Sequence, residues 1–255
     1  MRTLATMSQP MRHEEADAGG RRVEYRGIDW SRPEHLAWLV ADLRLLAESS
    51  PASDLAWWVE APLETLEVAD RVAGDAGFAR TRTLVQLRRP LPMDAPPDLP
   101  GLRTFDPERD VDAWLALNNA AFSWHPDQGH QNRNGVAVGL AAPWVDLNGF
   151  FVVDAADGDG LDGFCWTRFH PATQGDTPEP PLGEVYVIAT AKRARGRGLG
   201  RALVEVGMDH QYRVRGARQA MLWTEADNDG ALALYDRLGY VVHHGNARYA
   251  PRSRT

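Results

Sequence analysis

A chain of 255 residues can hold one large domain or two modest ones, each able to bury a core, so pattern rather than length must set the domain count. Its formal charge of −7 argues against nucleic acid or a membrane surface as principal partner, since both attract basic proteins, and leaves a small polar molecule as the expected one. The single cysteine, Cys165, excludes an internal disulfide, and no run approaches the roughly 18 apolar residues of a membrane span, so a cytoplasmic protein is expected.

Residues 1–21 are polar and charged and read as a disordered leader. Helical apolar spacing follows from His35 to Ala47, through Leu36, Leu39, Val40, Leu43 and Leu46, and then a short apolar run at Leu55 to Val59. A second helix, Leu63 to Ala76, leads through Gly77-Phe78 into a strand from Thr81 to Leu87. Arg89 to Pro100 carries five prolines in twelve residues and no apolar period, which marks a linker. The expected division is thus a small domain over 22–90, a Pro-rich linker over 91–100 and a larger domain over 101–255. In the larger domain the pattern predicts strand Leu102 to Phe105, helix Val111 to Phe122, and strands Gly149 to Val153, Gly163 to Phe169 and Glu184 to Ala189. Helix Leu199 to Arg213, strand Gln219 to Thr224, helix Gly230 to Leu238 and a last strand from Tyr240 complete a mixed α/β order. The insert His170 to Leu182 is a loop positioned to border a substrate site. A weak repeat aligns Gly77-Phe78 with Gly239-Tyr240, and at this offset Ala73 and Leu66 stand opposite Tyr235 and Asn228.

The most informative segment is Arg195-Gly196-Arg197-Gly198-Leu199-Gly200, directly after an apolar strand and directly before a helix. Glycines permit a tight turn and close backbone approach, and the following helix start offers unpaired N–H groups and partial positive charge to a phosphate. Lys192, Arg193, Arg195, Arg197 and Arg201 make this the most basic run of an acidic chain. No Gly-Lys-Ser/Thr follows, which excludes a Walker loop, and the strand comes too late in its domain for a Rossmann fingerprint.

This Arg-x-x-Gly-x-Gly loop resembles the acetyl-CoA loop of the GNAT superfamily, and Glu225-Ala226-Asp227-Asn228 through Leu234-Tyr235-Asp236-Arg237-Leu238-Gly239-Tyr240 resembles a second block of that family. Asn118-Asn119 with Phe122, His125-Pro126-Asp127-Gln128-Gly129, Pro143-Trp144 and Gly183-Glu184-Val185-Tyr186-Val187 are similar to the mycothiol synthase family, tandem GNAT proteins of actinobacteria. Thr190-Ala191-Lys192 replaces that family's Val-Asp-Pro, and His130-Gln131-Asn132-Arg133-Asn134 replaces its Trp-containing stretch, departures that bear on the acceptor. The resemblance implies a mixed, mostly antiparallel sheet flanked by helices, the GNAT fold, preceded by a partial GNAT-like domain that ends at Gln86 to Pro90.

It also implies N-acetyl transfer from acetyl-CoA to the amine of a small polar molecule, the cysteinyl amine of the mycothiol precursor being the specific case; no His/Cys/Asp cluster has metal spacing, so no metal is expected. Backbone N–H groups of Arg195, Gly196, Arg197, Gly198, Leu199, Gly200 and Arg201 would hold the pyrophosphate, and an N–H near Ile188 would face the thioester oxygen. Glu184 is the candidate base, with Glu225 as its rival or as a substrate contact, and Tyr235 the candidate acid toward the departing thiolate. Asn228 either bonds the cofactor or simply caps its helix, and His125 is a candidate substrate-pocket wall. Cys165 reads as a core residue. A GNAT paralogue acting on another amine, and a non-catalytic acyl-CoA-binding module, are the alternative readings.

Because the region before Arg89 has no Gly-rich turn between a strand and a helix, titration calorimetry is expected to find one acetyl-CoA per chain. A stoichiometry near two would contradict that.

Overall fold

The computed structural model describes residues 10–17, 20–49, 55–124, 128–174 and 178–252. They fall into two compact units, one of residues 1–86, 224–232 and 242–255 and one of residues 87–223 and 233–241.

The first unit is built on β1 (Met11–Asp17), β2 (Gly20–Arg26), α1 (Pro33–Ser49), β3 (Leu55–Ala61), α2 (Leu63–Ala76) and the first part of β4 (Phe78–Pro90). β1 and β2 pair antiparallel and β2 pairs parallel with β3. The expectation of a leader over residues 1–21 fails for Met11–Asp17 and Gly20–Arg21, which form this hairpin; residues 1–9 lie outside the described residues. The hairpin was hidden because its residues are mostly charged and only Val23 is fully buried: Arg21 donates across the strands to Glu14 at 2.6 Å, and Arg12 donates to Asp42 of α1 at 2.8 Å. The two helices bury Leu39, Leu43, Leu66, Ala69 and Val72 against Val23, Trp57 and Phe78. α2 ends at Gly77, whose φ of +83° is the left-handed cap that suits glycine.

The last strand of the chain corrects the expected division. Rather than closing a 101–255 domain, its residues Gly245–Tyr249 pair antiparallel with Ala61–Trp57 of β3. Ala247 and Tyr249 are fully buried there, and the Tyr249 ring stacks on Trp57 at 4.8 Å. An alternating strand joins the sheet that can bury its apolar face, whatever its distance in sequence.

The second unit holds β5 (Leu102–Thr104), α3 (Val111–Ala121), α4 (Arg133–Leu140), β6 (Phe150–Asp154), β7 (Leu161–His170), β8 (Leu182–Thr190), α5 (Leu199–Arg213), β9 (Gln219–Glu225), α6 (Asp229–Arg237) and β10 (Val241–Pro251), the last three being shared with the first unit. β5 to β8 pair antiparallel in order, and β8 pairs parallel with β9, giving the mixed, mostly antiparallel sheet expected. α4 was not foreseen: it is eight residues long with two glycines, and Asn132 caps it by accepting the Gly135 N–H at 2.9 Å. α3 lays Trp114 on Phe150, Phe164 and Trp166. On the opposite face α5 sits tightly, for a Cβ on Gly207 would come within 2.8 Å of Thr167 and 2.9 Å of the Cys165 sulfur. Gln211 of α5 donates to the buried Thr167 hydroxyl at 2.7 Å.

Arg103 clamps this unit's edge, bonding both oxygens of Asp154 at 2.7 and 2.8 Å and those of the buried Asp110 at 2.5 and 2.8 Å. The Arg103 hydrogen bonds hold the Asp154 carboxyl below its ordinary value, burial acting the other way. A carboxyl depressed in the folded state adds stability that is present above the unfolded value of about 3.9 and is lost as pH falls from there through the lower folded value. Asp154→Asn is therefore expected to melt lower than wild type at neutral pH and to lose less between about pH 5 and pH 2. Parallel melting curves over that window would show that the clamp adds nothing.

Candidate active site

β8 leads through Ala191 and a short turn at Lys192–Ala194 into the Gly/Arg loop. Gly196 and Gly198 have φ of +77° and +82°, and a side chain at either would meet nothing within 4 Å, so the backbone turns here in open space. Gly198 starts α5, and Ala202 N–H makes the first helical bond, to Gly198 O at 3.0 Å. The N–H groups of Leu199, Gly200 and Arg201 precede that bond and are the helix's orphan donors. A Cβ at Gly200 would stand 3.7 Å from Leu234 of α6 and 3.8 Å from Thr190, which places the loop, the end of β8 and α6 together.

The basic run is divided in its roles. Arg193 is committed to Asp162 at 2.7 Å and to the Asp159 carbonyl at 2.9 Å, and Arg201 to Glu205 at 2.7 Å. Arg195, Arg197 and Lys192 are exposed. The Pro-rich segment runs alongside: with Asp94 and Leu99 it borders a cavity of about 620 Å³ lined also by Val153, Asp162, Arg197 and Leu199.

β8 and β9 are in register only from Leu182↔Gln219 to Val185↔Leu222, and β7 pairs Trp166 with Val187 and Thr167 with Val185. Tyr186 has no partner opposite it, a bulge where β8 leaves β9. Glu184, just before that point, is 8% exposed, and its Oε2 lies 2.7 Å from His170 Nε2. Tyr186 is 40% exposed and joins Trp144 and Trp166 in an aromatic cluster with centroids 4.7 to 5.6 Å apart. Burial, then the Glu184 charge, raises the Tyr186 phenol above its usual value. The Arg168 guanidinium stacks over Trp144 at 4.8 Å, and Arg168 Nε and Trp166 Nε1 are buried with no partner among the described residues.

Tyr235 is 5% exposed, its ring 5.6 Å from that of Tyr240, and burial, followed by Cys165, pushes its hydroxyl well above the usual tyrosine range. Ile188 stands opposite Cys165 in the sheet. Asn228 and Glu225 belong to the first unit: Asn228 Oδ1 accepts the Ala231 N–H at 3.1 Å as a helix cap, and Glu225 is bound to Arg82 at 2.6 Å. His125 lies outside the described residues. Trp144 and Tyr186 stood in motifs quoted from the sequence, but no role was read for Trp166, Arg168 or His170, although their alternation into the insert was the available signal. No group of three or more metal-ligating side chains occurs among the described residues, nor does any helix long and apolar enough to cross a membrane.

Residues 111–240 match the Acetyltransferase (GNAT) family, and the chain belongs to that family. Among its relatives is the mycothiol acetyltransferase of Frankia alni, 41% identical over 215 residues, 80% of this chain and 62% of that protein. That of Acidimicrobium ferrooxidans is 38% identical over 244 residues, 89% of this chain and 75% of that protein. This chain thus spans less than two thirds of the length of the Frankia relative. In fold it is similar to a GCN5-related N-acetyltransferase from Sphaerobacter thermophilus, with TM-score 0.69 and 20% identity over 96% of this chain and 78% of that one. A tandem GNAT protein from the clavulanic acid biosynthesis pathway aligns with TM-score 0.58 and 14% identity over 93% and 77% of the two chains.

Cys165 is fully buried and burial pushes its thiol up to about 12, so it is no nucleophile near neutral pH. Thiol reagents are expected to leave it unmodified until the protein is unfolded, and rapid labelling of the native chain would put a protein nucleophile back under consideration.

Proposed function

We propose that this chain transfers the acetyl group of acetyl-CoA to the amine of a small polar acceptor. The observation that carries the reading is the open left-handed turn at Gly196 and Gly198, which sets the orphan N–H groups of α5 beside the end of β8. Those groups, with exposed Arg195 and Arg197, suit a pyrophosphate, because a helix start supplies donors and partial positive charge together. The thioester, when bound, supplies an activated acetyl carbonyl and a thiolate leaving group. A main-chain N–H near Ile188 stabilises the oxyanion. Glu184 takes a proton from the acceptor's ammonium, since an amine with a pKa of about 8 or higher is mostly protonated near pH 7. Tyr235, kept protonated by burial, gives its proton to the departing thiolate.

The acceptor is read from the same face. Buried N–H donors on Arg168 and Trp166 beside an exposed tyrosine and a tryptophan suit a ring-bearing molecule rich in oxygen. The names of the relatives suggest the cysteinyl amine of the mycothiol precursor, a cysteine-glucosamine-inositol conjugate. Incubation with acetyl-CoA and a panel of amines that includes this conjugate, read by release of free thiol, tests the reading; binding of acetyl-CoA without thiol release on any amine would leave only a binding module.

Within that reaction Tyr235→Phe keeps the ring and its packing while removing the proton. Turnover is expected to fall by about 10²–10⁴, with the Michaelis constant for acetyl-CoA little changed. Turnover within a few-fold of wild type at every pH would remove Tyr235 from the mechanism.

A further inference from the structure

β7 and β8 set Arg168 directly opposite Glu184. Opposite charges facing each other across an antiparallel pair attract, and the ordinary outcome is an ion pair. Here the two avoid each other. The Arg168 guanidinium lies over the Trp144 ring at 4.8 Å, its Nε without a hydrogen-bond partner, while Glu184 Oε2 lies 2.7 Å from His170 Nε2. His170 is the last residue of β7, paired with Leu182, and the insert it opens is closed by Thr173 and Glu179, joined by bonds of 3.0 and 2.9 Å. Glu179 is in turn held by Arg88 at 2.6 Å. The imidazole thus stands on a pinned hairpin, two residues along the strand from Arg168 and on the same face.

We infer that His170 is a positioning residue for Glu184, holding the carboxylate away from Arg168 so that it is free to act as a base. An ionised carboxylate only accepts, so Nε2 carries the hydrogen and donates it to Oε2. Oε1 is left to take the proton of the acceptor ammonium, while Arg168 stays available to the acceptor's oxygens. Without His170, the guanidinium that the register sets opposite is a donor that can compete for Glu184. A carboxylate gripped there is a weaker base, because the cation stabilises its ionised form. The inference rests on the proposed role of Glu184, but the hydrogen bond itself can be read without any turnover.

Three proteins test it: wild type, His170→Ala and His170→Gln, the last keeping an N–H donor at the reach of Nε2. Turnover with the acceptor should drop at least about 10-fold in His170→Ala, short of the ~10²–10⁴ carried by a proton-transfer group in contact with substrate. His170→Gln should recover most of it, and acetyl-CoA affinity by calorimetry should be the same in all three. Equal turnover in His170→Ala and wild type, or no recovery in His170→Gln, would overturn the inference. Nitrogen NMR of the His170 ring gives the activity-independent reading: Nε2 should report as the protonated nitrogen and shift in Glu184→Gln. An Nε2 signal indifferent to that change overturns the inference even in an active enzyme. Lack of transfer by wild type to any amine, with the Nε2 signal responsive, counts instead against the proposed function.

Discussion

The close seating of α5 on β7 and β8 is the constraint on which the second unit depends. Glycines remove the side chains that would hold helix and sheet apart. A Cβ at Gly163 would meet Leu203 at 2.8 Å, one at Gly183 would meet Gln211 at 2.6 Å, and one at Gly207 would meet both Thr167 and Cys165. Interiors are packed to crystal density, so any of these additions would push the helix outward. The displacement would be felt at the helix start, where Gly200 packs within reach of Thr190 at the end of β8. The same contacts that build the core therefore fix the distance between the strand and the orphan donors of α5.

The second consequence concerns β8 itself. Its first four residues are held on both sides, by β7 and by β9, and there Glu184 is buried. At Tyr186 the strand bulges and its register with β9 ends, so the following residues have backbone groups not committed to β9. A strand that is rigid at one end and released at the other can fix a carboxylate and still offer main-chain donors to a ligand. A bulge re-aims side chains as well, which accounts for an exposed tyrosine between two buried valines.

Much of this was legible in the sequence because local rules and tertiary packing agreed. α1, α2, α3 and α5 follow apolar spacing that their burial reproduces, and the loop stands between a strand and a helix as its flanks required. The hairpin at Met11–Asp17 was not legible, since ion pairs and backbone bonds leave no apolar period. The destination of β10 was not legible either: alternation tells that a strand has a buried face, not which sheet will receive it. At the candidate site, Glu184, Tyr235 and the glycines stood out as candidates by type and flank. His170 did not, because a histidine at a strand end means little until the register places it beside a carboxylate.

For an acidic chain, the proposed binding of an anion poses an electrostatic problem, and the committed arginines bear on it. Arg193 and Arg201 look like phosphate binders in the sequence, yet each is neutralised by a carboxylate of its own, Asp162 and Glu205. Their work is to hold the loop and the first turn of α5 in shape. In the proposed reading the backbone is then what would face the anion, for N–H dipoles at a helix start carry partial charge with no long side chain to immobilise. Exposed Arg195 and Arg197 add attraction that salt would screen, whereas the fixed donors act at contact distance and are screened far less. Specificity for a phosphate group would on this account reside in the turn made possible by Gly196 and Gly198, and the surrounding arginines would govern mainly how fast the anion arrives.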